Sequence, residues 1–185
     1  MSRPSIPVHG FSLIELLIVI SILAILSAGA LPSFDSLSQS VSNRSARSAL
    51  SVAINQARIG AVSRAQHVVA CPSIDQVSCL DSVHWQHGWL VFVDANRDGL
   101  RDNDETILSV AQAQKNGLAI VSSNGRKRIR YQTDGSAEGS NLTLTFCDRR
   151  GPSQARSLVI NNSGRLRSGV ASAAQAEFAC AAVIR

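Results

Sequence analysis

Two groups of charged residues and one isolated carboxylate are where this 185-residue chain could do chemistry. The first group, Asp94-Ala95-Asn96-Arg97-Asp98-Gly99-Leu100-Arg101-Asp102-Asn103-Asp104-Glu105, matches the calcium-loop pattern D-x-[DN]-x-[DN]-G-x5-E at every defined position. Calcium takes oxygen ligands, which Asp94, Asn96, Asp98, the Leu100 carbonyl, Asp102 through water, and Glu105 would supply around the turn at Gly99. Against this, "GWLVFV" before the loop and "TILSV" after it read as strands, whereas an EF-hand is flanked by helices. Arg97 and Arg101 also dilute the negative charge. The flanks favour a hairpin loop held by side-chain-to-backbone bonds. Calcium is the one cofactor the sequence raises; otherwise none is expected.

The second group is basic. Residues 1–114 carry a net charge of −2 and residues 115–185 a net charge of +7. Three clusters account for most of the excess: Arg126-Lys127-Arg128 with Arg130, then Arg149-Arg150 with Arg156, then Gly164-Arg165-Leu166-Arg167. Guanidinium forks match phosphate oxygens, and residues two apart on a strand share a face, so Arg165 and Arg167 could meet successive phosphates. No aromatic residues interleave the arginines, so base stacking is not expected and any nucleic-acid contact would be to the backbone, without sequence preference. The plainer reading is a solvated surface on a high-pI protein.

The isolated carboxylate is Glu15. From Phe11 to Leu31 it is the only charged residue in 21. At 1.5 Å per residue that run makes a helix of about 31 Å, enough to cross a bilayer core. A buried glutamate there costs roughly 2.5–3.5 kcal/mol on insertion scales, so its presence calls for a partner. An ordinary signal peptide cleaved at Ala28-Gly29-Ala30 is disfavoured, because the apolar run is too long and contains an acid.

The elements that must position these groups follow from periodicity. Pro32 should kink or loosen the first helix. Beyond it Phe34, Leu37, Val41, Leu50, Ile54, Ala57, Ala61 and Ala65 recur mostly at helical steps, predicting an amphipathic continuation over 32–66. Its serine-rich first part should depend on packing. After His67 the pattern changes to short strands near Val68–Ala70, Trp89–Val93, Thr106–Val110, Leu118–Val121, Arg128–Gln132, Leu142–Phe146 and Leu158–Ile160. Asp98-Gly99, Asn116-Gly117, Asn124-Gly125, Asp134-Gly135 and Ser163-Gly164 are the turn signals between them. Close spacing favours antiparallel hairpins. The expected class is α+β: a long N-terminal helix, its first half transmembrane, packed on an antiparallel sheet in a β-rich domain over 67–185.

Cys71, Cys79, Cys147 and Cys180 form no CxxC, which argues against zinc. An even number on the exported side of an anchor fits two disulfides and an oxidising compartment. Of three pairings, Cys71–Cys79 as a small loop and Cys147–Cys180 tying down the C-terminus is the expected one. His67, His84 and His87 offer no triad spacing, and no nucleophile elbow, P-loop or dinucleotide fingerprint is present, so no enzyme is expected.

The junction Gly10-Phe11-Ser12-Leu13-Ile14-Glu15-Leu16-Leu17 resembles the type IV prepilin processing site. The segment Trp89 to Gly99 with Asp102 and Glu105, and Leu158 to Arg167, look like minor pilins and pseudopilins of the GspH/FimT family. The resemblance implies a leader over 1–10, cleavage after Gly10 by a prepilin peptidase, and methylation of the new N-terminus at Phe11. It implies a single-pass inner-membrane protein with a periplasmic domain, assembled with other pilins. Glu15 would then neutralise the Phe11 amine of a neighbouring subunit, which makes the buried charge tolerable. FimT-type minor pilins of natural transformation carry a C-terminal GRxR motif that binds DNA, and Gly164-Arg165-Leu166-Arg167 matches it. The other basic clusters, Arg126 to Arg130 and Arg149, Arg150 and Arg156, would support it. The alternatives are a type II secretion pseudopilin that binds no DNA, and a free periplasmic protein cleaved near Ala30.

Overall fold

The structure, a computed structural model, describes residues 10–114, 117–123, 125–137, 139 and 142–183, with no side chains described for 27–33. The expected leader up to His9, and Asn116 and Asn124 of two expected turns, lie outside the described residues. The chain divides into two compact units, Met1–Ser38 and Gln39–Arg185.

In the first unit a long helix, α1 (Leu13–Arg64), begins where Ser12 can cap it. Ser12 Oγ accepts the Glu15 N–H at 3.2 Å, and the Ser12 carbonyl accepts the Leu16 N–H at 3.2 Å. Ser12-x-x-Glu15 is therefore a helix-start signature, with an acid in the first turn where the helix dipole favours it. Leu13, Ile14, Leu16, Leu17 and the apolar residues up to Leu26 are exposed on every side. An apolar helix left uncovered by the described residues is a surface suited to lipid or other chains. Among the described residues no helix is long and apolar enough to cross a membrane; the side chains described in the Phe11–Leu31 run stop at Leu26. α1 runs on through Pro32. Loss of one N–H does not end a helix held by the turns on both sides.

In the second unit α1 buries Ala46, Leu50, Ala53, Ile54, Ala57 and Ala61, steps of three and four that trace one stripe. That stripe meets side chains from two four-stranded antiparallel sheets. The first contains β1 (Val68–Pro72), β2 (Trp89–Val93), β3 (Ile107–Ala111) and β5 (Ile129–Tyr131) in the order β3-β2-β1-β5. The second contains β4 (Leu118–Ser122), β6 (Leu142–Asp148), β7 (Arg156–Ile160) and β8 (Leu166–Val170) in the order β4-β6-β7-β8. β1, β2 and β4 are covered on both faces, which is why they are buried throughout instead of alternating, whereas β3 and β8 are largely exposed. Val68, Ala70, Trp89 and Val91 face α1, while Val69, Cys71, Leu90 and Phe92 form a second cluster beside Cys79. In the other sheet Ile120, Leu144, Phe146, Leu158 and Ile160 join the α1 core. Ala119, Val121 and Cys147 face the opposite way, against Ala179 of a C-terminal helix, α2 (Ala173–Ala181).

Neither β8 nor α2 was expected from the sequence. β8 reads Leu-Arg-Ser-Gly-Val, without apolar alternation, and is a strand because it pairs with β7 from Arg156↔Val170 to Ile160↔Leu166. α2 starts at a complete capping box: Ser172 Oγ accepts the Gln175 N–H at 3.4 Å, and Gln175 Oε1 accepts the Ser172 N–H at 3.1 Å. Disulfides join Cys71 to Cys79 and Cys147 to Cys180, the second tying α2 to β6.

Candidate functional site

Strand pairing decides which basic residues share a surface. Ser122 pairs with Leu144, Leu142 with Ile160, and Ile160 with Leu166. One end of the second sheet therefore holds the exit of β4, with Arg126, Lys127 and Arg128 beyond it, and the β7–β8 turn with Gly164 and Arg165. Leu118 pairs with Asp148 and Phe146 with Arg156, so Arg149, Arg150 and Arg156 lie at the other end. The two ends are separated by the length of β7, about 13 Å at 3.3 Å per residue. The three clusters expected to act together are thus divided.

At the β7–β8 end the turn is closely built. Asn161 Oδ1 accepts the Arg165 N–H at 3.0 Å and the Ser163 hydroxyl at 2.8 Å, and the Asn161 carbonyl accepts the Gly164 N–H at 2.8 Å. Gly164 is buried at φ +73°, and a Cβ there would collide with the Gly135 carbonyl. Tyr131 Oη donates to the Gly164 carbonyl at 3.4 Å. The glycine is required by packing, whatever the arginines do. Arg165 and Arg167 are exposed, with no carboxylate paired to either among the described residues. Arg167 pairs with Val159, on the face away from Leu158, Ile160 and α1.

Arg126 is also exposed, its loop pinned by the Ser122 hydroxyl donating to the Arg126 carbonyl. Its neighbours are more committed. Lys127 Nζ binds Asp81 at 2.7 Å, which holds the exposed Asp81 carboxyl below its ordinary value. Arg130 donates to the Asp98 carbonyl at 3.1 Å. Arg128 is half-buried.

At the opposite end Asp148, 3% exposed, organises the charges. Arg150 donates to it from Nε at 2.9 Å and Nη2 at 2.8 Å, and Asn43 of α1 donates at 2.8 Å. Burial alone would raise the Asp148 carboxyl. Donation from the Arg150 side chain and backbone and from Asn43 outweighs it and holds the group below its ordinary value. Arg47 donates to Asn43 Oδ1 at 3.1 Å, and Arg156 to the Ala155 carbonyl at 3.0 Å. A polar cavity of about 140 Å³ lies among Arg44, Arg47, Arg150, Arg156, Asn43 and Gln154. Sequence reading missed Asn43, Arg44 and Arg47, which lie about 100 positions before the residues they meet. Their only local signal is an Asn-Arg-x-x-Arg step in a serine-rich helix.

The acidic loop joins β2 to β3, so its flanks are strands. Its side chains are turned onto its own backbone. Asp94 Oδ2 accepts the Gly99 N–H at 3.0 Å, Asn96 Oδ1 the Asp98 N–H at 3.1 Å, and Asp98 Oδ1 the Leu100 N–H at 2.6 Å. Glu105 accepts the Ala95 N–H through Oε1 at 2.8 Å and the Asp102 N–H through Oε2 at 3.0 Å. Asn96 Nδ2 bridges Asp98 and Asp102. Asp94 is 2% exposed and its Oδ1 has no hydrogen-bond partner among the described residues. Burial, then the charge of Glu105, raises its carboxyl above the ordinary value. No group of three or more His, Cys, Asp or Glu among the described residues is arranged to hold a metal ion. His84 Nδ1 lies 3.5 Å from Gln86 Nε2, and Trp85 beside it is fully buried core.

Residues 46–164 match the model of the family described as type II transport protein GspH. Residues 7–31 match the prokaryotic N-terminal methylation motif. The first match ends at Gly164, so Arg165 and Arg167 fall outside it. No curated protein matches the chain. Two crystal structures of the type IV minor pilin FimU of Pseudomonas aeruginosa share the fold. One has a TM-score of 0.57 at 16% identity, covering 79% of this chain and 97% of that one. The other has a TM-score of 0.56 at 19% identity, covering 74% of this chain and 98% of that one.

Proposed function

Because the chain belongs to the GspH family and carries the prokaryotic N-terminal methylation motif, we propose that it is a minor pilin that captures DNA on the surface of a type IV pilus. In this reading a prepilin peptidase cuts after Gly10 and methylates Phe11. The apolar start of α1 anchors the subunit in the inner membrane, with the disulfide-bonded domain in the periplasm, before assembly with other pilins. Within the filament Glu15 neutralises the terminal amine of an adjacent subunit, since a buried charge needs a counter-ion. No catalytic role is proposed.

One observation carries the DNA reading: Arg165 and Arg167 are both exposed on the edge hairpin, and no carboxylate among the described residues neutralises them. Two guanidinium groups there, with Arg126 at the same end of the sheet, suit successive phosphates of one strand. Contact with a few phosphates gives sequence-independent, salt-sensitive binding with Kd on the order of micromolar or poorer. Arg165→Ala with Arg167→Ala is expected to weaken binding alike for all sequences in a mobility-shift assay, and to lower the salt slope by about 2. Unchanged retention would refute the role. Transformation assayed alongside secretion in a complemented deletion strain tests the cellular assignment.

A second reading is favoured by the family's description as a type II transport protein and by the end of the match before the two arginines. In it the chain is a secretion pseudopilin with an assembly role. Loss of secretion with intact transformation in the deletion strain would select it.

A further inference from the structure

We propose that the cavity between α1 and the β6–β7 end of the second sheet is a binding site for a phosphate group, built by Arg44, Arg47 and Arg156 with Arg150 behind them. Four guanidinium groups line the cavity, and one of them, Arg150, is paired with a carboxylate, Asp148, leaving a net charge of +3. Asp148 is occupied by the two-pronged Arg150 contact and by Asn43, so it offers little to the other three. Arg44 has no ion-pair partner among the described residues. Arg156 and Arg47 use one donor each on Ala155 and Asn43, and their remaining donors have no partner among the described residues. Like charges crowd one another: burial first, then Arg156, Arg44 and Arg150, hold Arg47 below its ordinary value. A chain gains nothing in stability from gathering four cations around one anion; an incoming dianion relieves the repulsion. Guanidinium forks match tetrahedral oxyanions in geometry, and about 140 Å³ gives room for one.

This site is separate from Arg165 and Arg167 and does not rest on the proposed DNA role. Arg156 pairs with Phe146 and projects on the α1 face of the sheet, whereas Arg167 pairs with Val159 on the other face. A recess between helix and sheet suits a terminal phosphate better than a phosphodiester within a strand.

The test is calorimetric titration of the full chain in detergent with inorganic phosphate, against acetate at matched ionic strength. Saturable binding of phosphate alone is expected. Arg44→Glu with Arg47→Ala should weaken it at least tenfold, while Arg165→Ala with Arg167→Ala leaves it unchanged. Arg44→Glu alone, at an exposed position, should still weaken it severalfold and guards against misfolding of the double variant. Absence of saturable phosphate binding, or equal binding by the Arg44 and Arg47 variants, overturns the proposal. Two further arms identify the source of the phosphate. Competition by a duplex lacking terminal phosphates supports the site and assigns it to a nucleic-acid backbone. Competition only by a 5′-phosphorylated nucleotide supports it and assigns a terminal phosphate.

Discussion

Asn43 Nδ2 donates to Asp148 Oδ2 at 2.8 Å across 105 positions of the chain, joining the middle of α1 to the last residue of β6. Both side chains are buried, at 2% and 3% exposure. The bond completes the shell around a carboxylate that could not remain charged there without donors. It also ties α1, beside Arg44 and Arg47, to the end of the sheet that carries Arg150 and Arg156.

Asn43→Ala removes one of the side-chain donors to a buried charge. The expected loss is about 1–3 kcal/mol in unfolding free energy, measured by denaturant titration. Ser45→Ala, on an exposed position two residues away, should change stability by less than about 0.5 kcal/mol.

Acid should act through the same carboxylate. The folded-state value of Asp148 lies below its unfolded one, so its contribution is fully present above the unfolded value, about 3.9 for an aspartate. It is lost as pH falls through the folded value. Asp148→Asn is therefore expected to be less stable at neutral pH and to lose less on acidification below pH about 4. Parallel acid limbs in the two proteins would contradict the assignment.

Gly164→Ala should destabilise the domain even if the arginines are unaffected. It places a Cβ at φ +73° and against the Gly135 carbonyl, with an expected cost of about 2 kcal/mol or more. A thermal melt separates this from the arginine double variant, whose exposed side chains should leave the melting temperature nearly unchanged.

The two disulfides should differ in weight. They close segments of 8 and 33 residues, for which chain entropy gives about 2.5 and about 4 kcal/mol. Replacing Cys147 and Cys180 by serine is expected to lower stability more than replacing Cys71 and Cys79. Proteolysis should then release α2 first, because its Ala179 contact and the bridge hold it to the sheet.

Glu15→Val is expected to leave membrane insertion intact and to impair incorporation into filaments. Immunoblots of membrane and sheared-filament fractions check both at once. Because Glu15 also sits in the first turn beside the Ser12 cap, Glu15→Gln is the companion variant. It keeps a capping-box residue while removing the charge, so a defect shared with valine isolates the charge.

What the sequence determined by itself is what depends on near neighbours. The apolar run from Phe11, the helical steps through Ala61, the strand at Trp89–Val93 and the Asp98-Gly99 turn are all local patterns, written within a few residues. The start of α2 was also local, in Ser172-x-x-Gln175, but a short alanine-rich segment has little amphipathic signal to draw attention to it. Tertiary structure alone decided which charges meet. Arg156 and Arg165 are nine positions apart in one basic third, yet lie at opposite ends of β7. Arg44 and Arg156 are more than a hundred positions apart and line one cavity. That sorting depends on the register of β4, β6, β7 and β8 and on the seating of α1. Both arise from burial of one shared core, a condition on the whole chain that no window of a few residues contains.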